Sequence, residues 1–345
     1  MPPRAASPLP GLQTVLAHLL QALQTLFLGP ASGLSFESLA CALAIAAAVL
    51  IVRRRRRGRR VRARVLLRAL LPRRLLTSAS GKADVGLACF NVFLAGALFA
   101  GALVSAHQVA VATQGGLKAV LGAAQPAPLP RWLGSGLMTL GLFLAFELAY
   151  WVNHAMSHKI PFLWEFHRVH HTAEQLSPLT NFRVHPVDSL LYLNTSALFT
   201  GVVGGALKYA LGRAVAQVSI AGDNLFLFLA LFLLIHLQHS HVWIAARGVL
   251  GRIVLSPAHH QLHHSTNPAH FNKNFGGCLS LWDWLFGTLL IPSRERERLS
   301  FGVEAKGERP HSLVGVAVTP FVRAWASLRP APAAAQVPPG EEAVA

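Results

Sequence analysis

Apolar runs of membrane-spanning length recur along the chain, and no other feature narrows the fold as much. They lie at Leu39 to Val52, with an extension back toward Ser35, at about Val85 to Val111, Gly136 to Val152, Ser189 to Leu207 and Asn224 to Leu237. About 20 apolar residues in a helix cross a bilayer core. Hydrophobic residues make up 53% of the 345, and the mean hydropathy of +0.44 is rare for a soluble domain of this length. The expected fold is therefore all-α and integral to the membrane, with four to five transmembrane helices. The last two runs, joined by a polar turn around Lys208 to Asp223, read as a hairpin. The stretch near Leu12 to Leu28 carries polar residues and lacks a basic start, so it reads as an interfacial helix, not a cleavable signal peptide.

The net charge of +17 is concentrated. Twelve arginines lie between Arg53 and Arg74, and no acidic residue occurs between Glu37 and Asp84. Such a run suits nucleic acid, but apolar spans flank it and no aromatic residues interleave it. It reads instead as a cytoplasmic loop that holds topology and meets anionic membrane lipid, with no nucleic-acid partner. Placing it inside fixes the rest: alternate spans bring every histidine-rich segment to that same face. The three cysteines, Cys41, Cys89 and Cys278, are far apart and suggest neither a disulfide framework nor a thiolate metal site. The heavy alanine and arginine usage points to a GC-rich bacterium, hence to its inner membrane. The chain divides into an interfacial segment (1–33), a first span with its arginine-rich loop (34–84), a histidine-bearing membrane domain (85–300), and a C-terminal helix with a disordered Ala/Pro-rich tail (301–345).

Histidines crowd the ends of the spans. His154 and His158 form HxxxH; His167, His170 and His171 form HxxHH; His239 closes the last span; His260, His263 and His264, in SPAHHQLHH, form a second HxxHH. In a helix, positions i, i+3 and i+4 share one face, so each motif presents imidazoles together. Nine is too many for one ion at about four ligands each, and suits two. Imidazole binds zinc, copper, iron and nickel, so spacing alone does not name the metal. His236 and His241 compete with His239; His259 falls out of the spacing; His18, His107 and His311 are isolated. His185 reads as a loop brace that could also orient a ligand, and His270 as a supporting donor. Glu147, seven residues before His154 on the same face, and Asp188 and Asp283 are carboxylates able to hydrogen-bond a ligand imidazole. A metal transporter would set its ligands near the bilayer midplane; these gather beyond the spans.

The blocks ELAYWVNHAMSHKIPFLWEFHRVHHTAEQLSPLTNFRVHP and SPAHHQLHHSTNPAHFNKNFGGCLSLWDWLFGT resemble the fatty acid hydroxylase / sterol desaturase superfamily of membrane non-haem di-iron oxygenases. The likeness includes LW before HxxHH, RxHP after it, the Asn274-Phe275-Gly276 triplet and the WDxxFGT ending, and it covers about Leu66 to Leu290. Two departures stand out: Ala155 where the family often has arginine after the first histidine, and Glu147 where it often has Asp. The resemblance implies two irons on the nine histidines, with O2 as co-substrate, in a helical cytosolic cap. It implies hydroxylation of a lipid C–H bond, or desaturation; an ether-lipid monooxygenase is a sub-alternative. No cytochrome or dinucleotide-binding segment is evident, so electrons come from an external reductase or carrier.

Overall fold

The computed structural model describes residues 12–30, 32–95, 100–125, 128–212, 215–304 and 308–329. The fold is helical, with one two-residue antiparallel ribbon, Ser219–Ile220 against Asp223–Asn224. Among the described residues, three helices are long and apolar enough to cross a membrane: Phe36–Arg56, Arg131–Lys159 and Pro186–Leu211. In chain order the elements needed here are α1 (Leu12–Leu28), α2 (Phe36–Arg56), α3 (Ala63–Leu70), α4 (Arg74–Thr77), α5 (Ala79–Phe90), α6 (Ala106–Leu121), α7 (Arg131–Lys159), α8 (Pro161–His171) and α9 (Pro186–Leu211). After the ribbon come α10 (Leu225–Gln238, with a π turn at Leu231–Ile235), α11 (Gly248–Ile253), α12 (Pro257–His263), α13 (Leu281–Leu285) and α14 (Leu313–Ser327).

The apolar run Val85–Val111 does not form one spanning helix. α5 ends in a π turn at Asn91–Ala95, where Asn91 Nδ2 donates to the carbonyls of Phe182 (2.9 Å) and Val184 (2.8 Å). That anchor ties the turn to the loop before α9. A new helix begins after Ser105, whose hydroxyl caps the Gln108 N–H. α6 then continues to Leu121, ten residues past the end of the apolar run, with Gly115 and Gly116 inside the helix. α6 lies close against α9 because Gly201 and Gly205 leave room: a Cβ on Gly201 would sit 2.5 Å from Val109 Cβ, and one on Gly205 2.5 Å from the Ala110 carbonyl.

α7, α9 and α10 meet at one end, and the histidine-bearing segments close over it. Pro161 separates α7 from α8; the residue before it, Ile160, is extended (φ −99°, ψ 113°), as proline demands of its neighbour. α2 runs beside the chain from His236 to Trp243. Ser38 Oγ meets His236 Nε2 at 3.0 Å, and the Arg53 guanidinium donates to the Trp243 carbonyl. His239 thus lies in the chain segment bracketed by these two contacts, three residues after His236 and four before Trp243. α14 packs on α8, with Phe321 5.2 Å from Phe166 and Arg323 2.6 Å from Glu165. The Ala/Pro-rich tail, expected as disordered, lies outside the described residues.

Candidate metal centre

All nine singled-out histidines converge, in two groups. His154, His158, His167, His171 and His263 form one; His170, His239, His260 and His264 form the other. Within each group the potential ligand nitrogens lie within 4.8 Å of one another. HxxHH explains the split: His170 and His171 point a quarter-turn apart and serve different groups, as do His263 and His264. The stacked rings of His171 and His264, 4.5 Å apart, join the two halves.

Local sequence sets each ring. In the first group, Nδ1 of His154 donates to the Phe275 carbonyl (2.8 Å), that of His263 to the Lys273 carbonyl (2.8 Å), and that of His167 to Asp188 Oδ2 (2.9 Å). A carbonyl only accepts, so Nδ1 carries the proton and Nε2 keeps its lone pair. The Nε2 atoms of all five rings are buried and meet no protein partner. Buried polar atoms are nearly always satisfied, and five orphaned ring nitrogens within 4.8 Å of one another, three of them acceptors by their tautomer, fit a cation. In the second group, His239 Nε2 lies 3.1, 2.9 and 3.2 Å from those of His170, His260 and His264, and His260 and His264 are 3.1 Å apart. Adjacent nitrogens bound at ~2.1 Å to one ion would be ~3.0–3.4 Å apart. The donor sets therefore fit two metal ions.

Burial holds these imidazoles in the form a metal needs. It pushes His239 and His263 down to about 3, and His170, His171, His260 and His264 well below the ordinary value; neighbouring imidazoles add to the effect in all six, and backbone hydrogen bonds partly oppose it at His170 and His263.

The last block is held by an unusual turn. Asn274 adopts φ +58°, donates to the carbonyls of His259 and Leu290, and accepts from the Leu290 N–H. Phe275 then aims its carbonyl at His154. A Cβ on Gly276 would fall 2.0 Å from the Leu279 carbonyl, so only glycine fits there. Asp283 binds the Phe275 and Gly276 N–H groups (both 2.8 Å), Trp151 Nε1 and Thr288 Oγ1. It touches none of the nine histidines, contrary to expectation; it acts one step back, on the backbone whose carbonyl orients His154. Glu147 likewise grips backbone, accepting from Cys278 and Leu279 at 2.8 Å each, and staples α7 to this turn. His185 is the brace: Nδ1 caps the Val187 N–H at the start of α9, and the ring packs on Phe166 and Phe321.

The competing histidines lie elsewhere. His236 binds Ser38, His241 the Ala69 carbonyl, and His259 caps α12 through Ser256. His270 lies 3.8 Å from Glu297, and His311, expected as isolated, meets Arg183 and Glu174. Three positioning residues had no role in the sequence reading. Gln238 and Gln261 tie the chain on either side of His239 to the last block, through the carbonyls of Leu255, Gly277, Ser240 and Val242. Arg183, fully buried, binds Asp84 (2.7 Å), the Val169 carbonyl and Thr172 Oγ1, holding the end of α8. RxHP was its only signal.

Two chambers reach the histidines and share no residue. One, of about 590 Å³, touches His158, His171 and His263 of the first group and His264 of the second. The other, of about 350 Å³, touches His154, His167, His170 and His239, and is walled by Tyr150 of α7 and Tyr192 of α9.

Residues 139–288 match the fatty acid hydroxylase family. This match is shorter toward the N-terminus than the resemblance from about Leu66. The chain is similar to the alkylglycerol monooxygenase of Homo sapiens (29% identity over 47% of this chain and 32% of that protein). It is also similar to an ornithine lipid hydroxylase of Rhizobium tropici (28%, covering 48% and 45%) and a putative Delta(7)-sterol-C5(6)-desaturase of Arabidopsis thaliana (25%, covering 46% and 50%). The chain spans between a third and a half of the length of these relatives. No solved structure matches it. Both converged histidine groups lie inside the segment that matches the fatty acid hydroxylase family, so the likeness to these relatives falls on the candidate metal centre itself.

Proposed function

We propose that the protein is a membrane-bound, O2-dependent oxidoreductase that hydroxylates a C–H bond of a lipid at a di-iron centre. The observation that carries this reading is the pair of buried imidazole groups, each open to both chambers. One ion is assigned to His154, His158, His167, His171 and His263, the other to His170, His239, His260 and His264. Imidazole suits several metals; iron and O2 are favoured because relatives are named hydroxylase, monooxygenase and desaturase. When bound, two reduced irons supply the power to activate O2 against an aliphatic C–H bond, chemistry that side chains alone lack.

The chain's own residues position and protect. Asp188 and the carbonyls of Phe275 and Lys273 hold three rings in one tautomer. The larger chamber combines Trp164, Phe271 and Val303 with Lys159, Asn272 and Glu304. Such a wall suits an amphipathic lipid that reacts near its polar end, as an alkylglycerol or an ornithine lipid offers. Desaturation would use the same hydrogen abstraction. Electrons come from an external reductase or carrier.

We propose a bacterial inner membrane as its place, with its centre facing the cytoplasm; the contact of Arg53, at the start of the arginine run, with the Trp243 carbonyl, four residues after His239, supports that orientation. The catalytic unit is taken as 85–300, with α14 bracing α8. Elemental analysis of the detergent-purified chain tests the reading: about two irons per protein are expected, lost in His263→Ala. Folded protein that binds no metal after anaerobic iron reconstitution would overturn it.

A further inference from the structure

A third cavity, of about 560 Å³, lies between α2, the 70–77 segment, the loop at 176–179 and the end of α10. None of the nine histidines lines it, so it is not a reaction chamber. Its volume falls in the ~300–1,000 Å³ range of cavities that enclose apolar ligands. The walls are mainly leucine and alanine, including Leu39, Leu43, Leu75 and Leu179. Of the polar groups in the wall, His236 is engaged by Ser38 and His241 by the Ala69 carbonyl. Arg73 is the one Lys, Arg, Asp or Glu side chain on the wall, and among the described residues its guanidinium meets no acidic group.

The surroundings identify the occupant. α3 buries none of its residues, yet sets Leu66, Leu67 and Leu70 on one face and Arg64 and Arg68 on another. Leu67, Leu71 and Leu76 are 60%, 54% and 61% exposed. An amphipathic basic helix of this kind lies at a lipid surface, and the twelve arginines from Arg53 to Arg74 attract anionic headgroups. We propose that this cavity holds an acyl chain of an anionic phospholipid, with its phosphate on Arg73. Just over half of the residues that build the site, Arg73 among them, lie outside the matched 139–288 segment. It is a lipid site separate from the substrate chambers, and Leu237 and Ser240 on its wall flank His239.

The test uses the full chain reconstituted in phosphatidylcholine vesicles containing a minority of phosphatidylglycerol. The protein is extracted into a neutral detergent, and retained lipid is counted by mass spectrometry. Wild type should retain phosphatidylglycerol in excess of its share of the vesicle. Arg73→Glu should lower that retention by about tenfold, whereas Arg60→Glu, the same charge change away from the cavity wall, should stay within about twofold. Leu43→Trp, which fills the cavity, should also release the lipid; Leu76→Trp, on another wall, replaces it if that variant does not fold. Iron content should be unchanged in all of them, so this proposal and the metal-site reading fail separately. Retention of the two lipids in their bulk ratio, no lipid retained, equal loss in Arg60→Glu and Arg73→Glu, or full retention in a folded cavity-filling variant would each overturn it.

Discussion

Asp188 at the start of α9 accepts a hydrogen bond from Nδ1 of His167 on α8, at 2.9 Å, and both side chains are buried. The contact ties a metal-facing ring to a different helix and fixes which nitrogen is free. Carboxylates in this role strengthen the imidazole as a ligand, and their loss costs about 10–100-fold in metal affinity or activity. Asp188→Ala should show a loss of that size in an iron-binding titration, while Asp188→Asn, which can still accept the bond, should lose less. Unchanged affinity in the alanine variant would remove His167 from the ligand set.

Glu147 makes a different prediction, because it touches backbone and not imidazole. Glu147→Ala strands the buried N–H groups of Cys278 and Leu279. Each orphaned group costs about 1–3 kcal/mol. The expected result is a clear drop in the unfolding midpoint, with smaller loss in Glu147→Gln. The metal site should suffer only through displacement of the turn at 275–279, so metal affinity per folded molecule should fall less than in Asp188→Ala.

Acid should destabilise the metal-free protein. His239 and His263 are pushed down to about 3 by burial, from an ordinary value of 6.5. The unfolded chain therefore binds protons that the folded chain refuses. Their contribution to stability is complete above about pH 6.5 and is lost progressively as pH falls from there toward 3. Thermal unfolding of chelator-stripped protein at pH 7.5 and 5.5 checks this, with the lower midpoint expected at pH 5.5. An equal or higher midpoint at pH 5.5 would mean that the rings are not held in a buried, neutral cluster.

The histidine constellation was legible because helical periodicity is local. HxxHH specifies its geometry within five residues, and the 170/171 and 263/264 split follows from adjacent side chains pointing apart. The apolar runs were legible as helices for the same reason, except at Val85–Val111, although the last, Leu225–Gln238, is shorter than the three that can cross a membrane. There, Asn91 finds its partners at Phe182 and Val184, about ninety residues on, and no window of sequence contains that contact. The carboxylates were harder still. Glu147, Asp188 and Asp283 all looked able to orient an imidazole, yet only Asp188 does. Which acceptor meets which donor was decided by the turn at Asn274, a left-handed residue whose role appears only once α12 and α13 are folded around it.

Arg183 carries the last prediction. Its guanidinium is buried against Asp84, itself 1% exposed, and also holds the Val169 carbonyl and Thr172 Oγ1 where α8 ends. Removing one member of a buried ion pair leaves the other charge uncompensated, typically at about 3–5 kcal/mol. Arg183→Met should therefore destabilise by that order, because Asp84 keeps its burial and loses its counter-charge. Combining it with Asp84→Asn should recover part of the loss, since the double variant no longer buries a lone carboxylate; residues in contact are not expected to be additive. The recovery should be incomplete, because α8 still lacks the donors that bound Val169 and Thr172. Since α8 bears His167, His170 and His171, iron content should fall with stability in Arg183→Met and stay low in the double variant. Unfolding midpoints and elemental analysis on the same four proteins measure both. Strict additivity of the two substitutions would show that the pair does not act as a unit.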